Sequence, residues 1–213
     1  GCRKLNDLFF HPRLHAFVRE ALMENDVRIY GASAWGKWAG QVNYEQPIHQ
    51  DGNHSVLPGR FEPGYWNLET FIYLSDVDED CAPPHVVPRS QSDCDYIELY
   101  DREIAATGKR GSVFAYRSDV WHRGTDFLRA DASRFVAVAN FRPARADWFS
   151  YDAFGRLGNH NTWLKVVRGK TPDQLTLFGF PPPGDDYWNA PTVDALEVKY
   201  PGLDVSPWRD ALR

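Results

Sequence analysis

The sequence predicts a mainly β protein with flanking helices, an antiparallel sandwich or barrel, and three observations carry that prediction. Short runs of period-two alternation recur along the chain without regularly interposed helical stretches, whereas a doubly wound parallel sheet needs a helix after each strand. The composition is aromatic and turn-rich, with 13 Phe, 8 Trp and 10 Tyr against a single Met, and with 16 Gly and 15 Pro. A length of 213 residues is one domain, or one domain with an appendage.

The elements follow in order. Leu14, Phe17, Val18, Ala21 and Leu22 recur at the spacing of one buried helical stripe. The period then becomes two, with Trp38, Gly40, Val42 and Tyr44 on one face and Lys37, Ala39, Gln41 and Asn43 on the other, which predicts a strand. A second strand is read at Ile48 to Asp51, and a third over Asn67 to Ser75, where Leu68, Thr70, Ile72 and Leu74 alternate with Glu69, Phe71 and Tyr73. The acidic, proline-bearing VDEDCAPPHVVPRSQ that follows reads as a surface loop. A short helix within Tyr96 to Thr107 precedes strands at Gly111 to Tyr116 and Arg134 to Phe141, the last with Arg134, Val136, Val138 and Asn140 on one face. Residues 1–145 are thus the β core with its N-terminal helix. Residues 146–213, with the amphipathic Val193, Leu196, Val198 and Tyr200, are an aromatic-rich extension packed on it, one domain overall.

A net charge of −5 and a pI near 5.8 exclude electrostatic binding to nucleic acid or to an anionic membrane as the theme. Mean hydropathy is −0.52, and no run approaches the roughly 18 consecutive apolar residues of a membrane span. The expected partner is a small molecule in solution. Cys2, Cys81 and Cys94 are odd in number and few for a disulfide framework, which favours a reducing, cytoplasmic setting. No basic-then-apolar leader opens the chain, and its start without methionine suggests that residues precede Gly1.

The segment PIHQDGNHS places His49 and Asp51 two apart, so on an extended chain both side chains leave one face. An imidazole and a carboxylate, completed by a histidine from a distant strand, make the two-histidine, one-carboxylate triad that leaves open positions on a ferrous ion. His122, in VWHRG after the strand GSVFAY, is the candidate third ligand. Twelve residues on, Arg134 opens a strand whose other same-face residues are small or apolar. Stranding a buried guanidinium costs several kcal/mol, and its planar fork suits a carboxylate. A metal triad with an inward arginine one strand later is what a 2-oxoglutarate site needs, the keto acid chelating iron at one end and ion-paired at the other.

The order of His49-x-Asp51, FIYLSDVDEDCAPPHVVPRSQ, GSVFAYRSDVWHRGTDF and RFVAVANF resembles the phytanoyl-CoA dioxygenase family of iron(II)/2-oxoglutarate-dependent oxygenases over about residues 37 to 143. The loop match at Val86, Val87, Pro88 and Ser90 is more specific than the triad itself. The family usually has a glycine before the apolar pair and closes the loop with Pro-Gly-Ser-His; here His85 precedes the pair and Arg89, Ser90 and Gln91 follow Pro88. The resemblance implies a double-stranded β-helix (jelly-roll, cupin-like) core, iron(II) held by His49, Asp51 and His122, and Arg134 on the distal carboxylate of 2-oxoglutarate. It implies O2 as the oxidant and hydroxylation of a small or medium organic molecule, with release of succinate and CO2. In the related halogenases a small residue replaces the carboxylate; Asp51 is intact, which favours hydroxylation.

Plainer readings stand beside these. Each histidine could be an ordinary half-buried residue, and Arg134 could tie down Asp131 or Asp119. Arg129, in a polar turn, is the substitute for Arg134. Gln41 and Asn43 could point inward or to solvent. Asn53, His54 and His85 read as loop residues, and Trp148, Trp163, Tyr187, Trp188 and Trp208 as core. The acidic run from Asp76 to Asp80 lacks the glycine and terminal glutamate of a calcium loop. As a whole, the chain could instead be a jelly-roll binding protein without turnover, or a cupin-like metal enzyme that makes no use of 2-oxoglutarate.

Overall fold

The structure, a computed structural model, describes residues 3–41, 44–51, 62–146, 161–176 and 180–212. The chain forms two compact units, one of Gly1–Gln50 with Trp66–Pro143 and one of Asp51–Tyr65 with Ala144–Arg213.

The first unit opens with helices α1 (Arg3–Phe9) and α2 (Pro12–Leu22). Pro12, whose fixed φ suits a first helical turn, starts α2, and His11 Nδ1 accepts the Arg13 N–H. The helix ends where Met23 turns left-handed at φ 52° and the Glu24 N–H closes back on the Arg19 carbonyl. Seven strands follow: β1 (Val27–Trp38), β2 (Leu68–Tyr73), β3 (His85–Val86), β4 (Ile104–Ala105), β5 (Val113–Arg117), β6 (His122–Arg123) and β7 (Ser133–Pro143). All pairs are antiparallel, in one sheet of order β1-β7-β2-β5 and another of order β4-β3-β6. A backbone bridge from His49 to His122 adds an eighth segment beside β6.

Both faces of the large sheet are covered. On one, Leu14, Val18 and Leu22 of α2 pack with Leu68, Ile72, Ala137, Ala139 and Phe141. On the other, Phe71, Tyr73, Tyr116, Val136 and Val138 form a cluster with Val77, Cys81, Ala82 and Phe127. This explains why all six residues of β2 are buried although its sequence alternates. Phe17, part of the predicted stripe, remains 43% exposed, while Leu22 is fully buried. Leu22→Ala is therefore expected to cost about 2–5 kcal/mol in urea unfolding and Phe17→Ala much less; equal costs would contradict this packing.

Three predicted elements differ. The strand read at 37–44 runs instead from Val27 to Trp38, because Gly40 turns the chain at φ 74°; Val42 and Asn43 lie outside the described residues. Its Gly and Ala content disguises a strand that pairs with β7 along most of its length. The strand read at Ile48–Asp51 reduces to the single bridge at His49, and Asp51 is already in a 3-10 turn. The helix read within 96–107 is a 3-10 turn at Tyr96–Asp101 followed by β4. The acidic run is a solvated turn, with Asp76 held by Lys109 and by the Arg110 N–H, but the rest of the segment read as a surface loop is not one: Cys81, Ala82, Val86 and Val87 are buried, and His85–Val86 form β3.

The second unit holds helices α3 (Asn161–Arg168), α4 (Pro172–Thr176), α5 (Ala190–Lys199) and α6 (Ser206–Asp210) around a core of its own. Trp163, Tyr187, Trp188 and Trp208 belong to that core, and the Pro181 carbonyl accepts both the Trp188 and Trp208 indole N–H groups. In α5, Val193 and Leu196 face inward and Val198 outward, and Tyr200, just past the helix, is buried. Trp148 lies outside the described residues.

Candidate metal centre

His49 and His122 come together through the backbone. Each donates its N–H to the other's carbonyl at 2.9 Å, which sets their rings 4.4 Å apart, centroid to centroid. Their ligand nitrogens and an Asp51 carboxylate oxygen all lie within 4.8 Å of one another. The site thus joins a segment near residue 49 to one more than seventy positions later, by strand pairing rather than local sequence.

The imidazoles are oriented for coordination. His49 Nδ1 lies 2.8 Å from the Pro47 carbonyl and His122 Nδ1 2.9 Å from that of Val120. A carbonyl only accepts, so both Nδ1 atoms carry the proton and both Nε2 atoms carry the lone pair a metal needs. Two histidines and one carboxylate are the donor set of a non-haem ferrous site, with coordination positions left for other ligands. Asp51 reaches it from a turn and not from the extended strand its spacing suggested.

The scaffold beneath the His49 segment was not anticipated. Ile48 is buried with Val87 and Leu99, its N–H donates to the Tyr100 hydroxyl at 3.1 Å, and the Tyr96 hydroxyl donates to its carbonyl at 2.7 Å. Tyr96 and Tyr100, four apart in YIELY, were the only sequence trace of this clamp. The Tyr116 ring, on β5, lies tilted against His122, with the ring centroids 4.5 Å apart.

Arg134 is 8% exposed on the inner face of β7. One guanidinium N–H donates to the Ala82 carbonyl, and buried Nε has no partner. No carboxylate among the described residues pairs with it: Asp119 is taken by Arg117 and Arg89, and Asp131 is exposed. Burial lowers the Arg134 pKa, the mark of a cation that lacks a counter-charge. Arg129 is half-exposed and bonds to Cys81 and Asp78. His85 pairs with Glu103 in a different part of the small sheet, and Gln41 is exposed at the turn after β1. Asn53 and His54 lie outside the described residues.

No family model and no curated protein matches the chain. Among solved structures it is similar to EvdMO1, with 19% identity and a TM-score of 0.53 over 65% of this chain and 32% of that one. It is similar also to the epimerase SnoN, solved in complex with Fe3+, alpha ketoglutarate and nogalamycin RO, at 16% identity and a TM-score of 0.56 over 68% of this chain and 60% of that one. The alpha ketoglutarate dependent carbocyclase SnoK aligns at 17% identity and 0.55 over 67% and 59% of the two chains. The fold is a double-stranded β-helix. Numbered along the chain with the His49 bridge second, strands one, eight, three and six make one sheet of this β-helix and two, seven, four and five the other. The chain spans about a third to three-fifths of the length of these structures. No helix among the described residues is long and apolar enough to cross a membrane.

Proposed function

We propose that the chain is a non-haem iron(II), 2-oxoglutarate-dependent oxygenase of the phytanoyl-CoA dioxygenase type, hydroxylating a small or medium organic molecule with release of succinate and CO2. The observation that carries the reading is the His49, Asp51 and His122 donor set in the same β-helix as an inward guanidinium without a carboxylate partner. The likeness to SnoN, an iron and alpha ketoglutarate complex, supports it. A reducing, cytoplasmic setting goes with it, since Cys81 and Cys94 are thiols.

In this reading the donor set, with iron(II) bound, supports activation of O2 at the expense of 2-oxoglutarate. The protein's own share is orientation. The Pro47 and Val120 carbonyls hold the two imidazoles in the metal-binding tautomer. The Asp51 carboxylate offsets the charge of a divalent ion, and Arg134 takes the distal carboxylate of the keto acid by the charge-assisted pairing its buried fork lacks. The aromatic side chains of Tyr116, Phe71 and Phe114 on the inner face keep water from the reacting end.

The test is anaerobic. Adding iron(II) and then 2-oxoglutarate to metal-free protein is expected to produce the visible charge-transfer band of a chelated keto acid, absent in Asp51→Ala and His122→Ala. Iron binding without the band would favour a metal enzyme that does not use 2-oxoglutarate, and no iron binding would leave a binding module.

A further inference from the structure

We infer that Asn67 is a substrate-binding residue and that the substrate is a polyhydroxylated molecule, whose hydroxyls its carboxamide receives on the inner face of the large sheet. The inference rests on the function proposed above and concerns the end of the β-helix interior away from Arg134. Asn67 stands just before β2, where its carbonyl accepts the Ser118 N–H at 3.1 Å and continues the ladder of β2 with β5 by one step. Its side chain therefore leaves on the face of Glu69, Phe71 and Tyr73, and Phe71 and Tyr73 belong to the inner cluster. Glu69 is the cross-strand partner of Tyr116, whose ring lies against that of His122. On its other side Glu69 pairs with Asn140, which is separated from Arg134 along β7 by roughly 20 Å of extended strand. A keto acid held between Arg134 and the metal thus leaves the Asn67 end to the second reactant.

Asn67 is 1% exposed, and neither its Nδ2 nor its Oδ1 has a hydrogen-bond partner among the described residues. A primary amide buried in this way has lost its water without a replacement, which native interiors avoid unless another group completes the site. The amide presents an acceptor and a donor side by side, and a hydroxyl, which donates one hydrogen and accepts another, matches both. Glu69, 3% exposed, adds a carboxylate on the same face about 7 Å further along the strand, fixed by bonds from the Tyr30 hydroxyl and the Asn140 amide. Polar groups spread over two such positions call for hydroxyls on more than one carbon, as a polyol or a sugar ring carries them. An acyl chain laid there would leave the amide desolvated and unbonded.

The test uses protein loaded with iron(II) and 2-oxoglutarate, without oxygen, into which myo-inositol, methyl α-glucoside and, as the apolar ring, cyclohexanol are titrated calorimetrically. Wild type is expected to bind the two polyols more tightly than cyclohexanol. Asn67→Leu, near in size and unable to hydrogen-bond, is expected to weaken the polyols roughly 10- to 100-fold. Cyclohexanol and 2-oxoglutarate are expected to stay within a few-fold. The melting temperature of ligand-free Asn67→Leu is expected to equal or exceed that of wild type, which an amide serving the scaffold would not allow. No polyol binding to wild type, equal weakening of polyols and cyclohexanol, or a lowered melting temperature would overturn the role of Asn67. The two readings fail separately. Absence of the 2-oxoglutarate charge-transfer band in wild type overturns the oxygenase, whereas a band that persists beside polyol affinities unchanged in Asn67→Leu overturns only Asn67. Should Asn67→Leu not fold, Asn67→Ala carries the binding comparison.

Discussion

Asp51→Ala is expected to lower iron(II) affinity by more than about 100-fold while leaving the fold intact. Even the outer partners of metal ligands are typically worth about 10–100-fold, and Asp51 contributes both a donor atom and the only negative charge of the three-residue cluster. Without it, two neutral imidazoles face a divalent ion, and the charge-transfer band with 2-oxoglutarate goes with the metal. The side chain is only partly buried and adds no strand pairing, so the melting temperature of the metal-free protein should move little. Anaerobic titration with iron(II), beside a thermal melt of the same sample, checks both parts. Affinity within a few-fold of wild type, in a folded variant, would remove Asp51 from the metal site.

Arg134→Met separates the cosubstrate from the metal. The variant is expected to bind iron(II) as wild type does and to lose about 150- to 4,000-fold in 2-oxoglutarate affinity, because removing one partner of a buried charge pair costs about 3–5 kcal/mol. Arg134 buries its charge against no carboxylate of the described chain, so an apolar side chain of similar length should leave the ligand-free protein at least as stable. A melt with and without 2-oxoglutarate reads both effects, since a ligand raises the melting temperature only of the state it binds. A large destabilisation of the ligand-free variant would assign Arg134 to the scaffold instead. Arg129→Ala, by contrast, is expected to leave binding unchanged, because Arg129 is half-exposed and already engaged with Cys81 and the exposed Asp78.

Much of the β core was legible because period-two patterns report which face a residue takes. The alternation in 134–141 placed Arg134, Val136, Val138 and Asn140 together, and the inner cluster holds Val136 and Val138. The helical stripe gave Leu14, Val18 and Leu22 correctly and misplaced Phe17, since a stripe does not say how wide the receiving surface is. The strand at 27–38 was illegible: GASAWG has neither β-branched residues nor clean alternation.

By itself, then, the sequence determined the side chains of the candidate site, the parity that puts Arg134 on the face of Val136 and Val138, and the antiparallel class of the fold. Which of them meet was decided by tertiary structure. Register between distant strands follows from the global packing and leaves no local period to read. The antiparallel bridge of residues 49 and 122 brings the two histidines face to face, and the backbone carbonyls of Pro47 and Val120 select their tautomer. The same long-range pairing sets Lys37 beside Arg134, bringing two basic residues far apart in the chain together on one buried face.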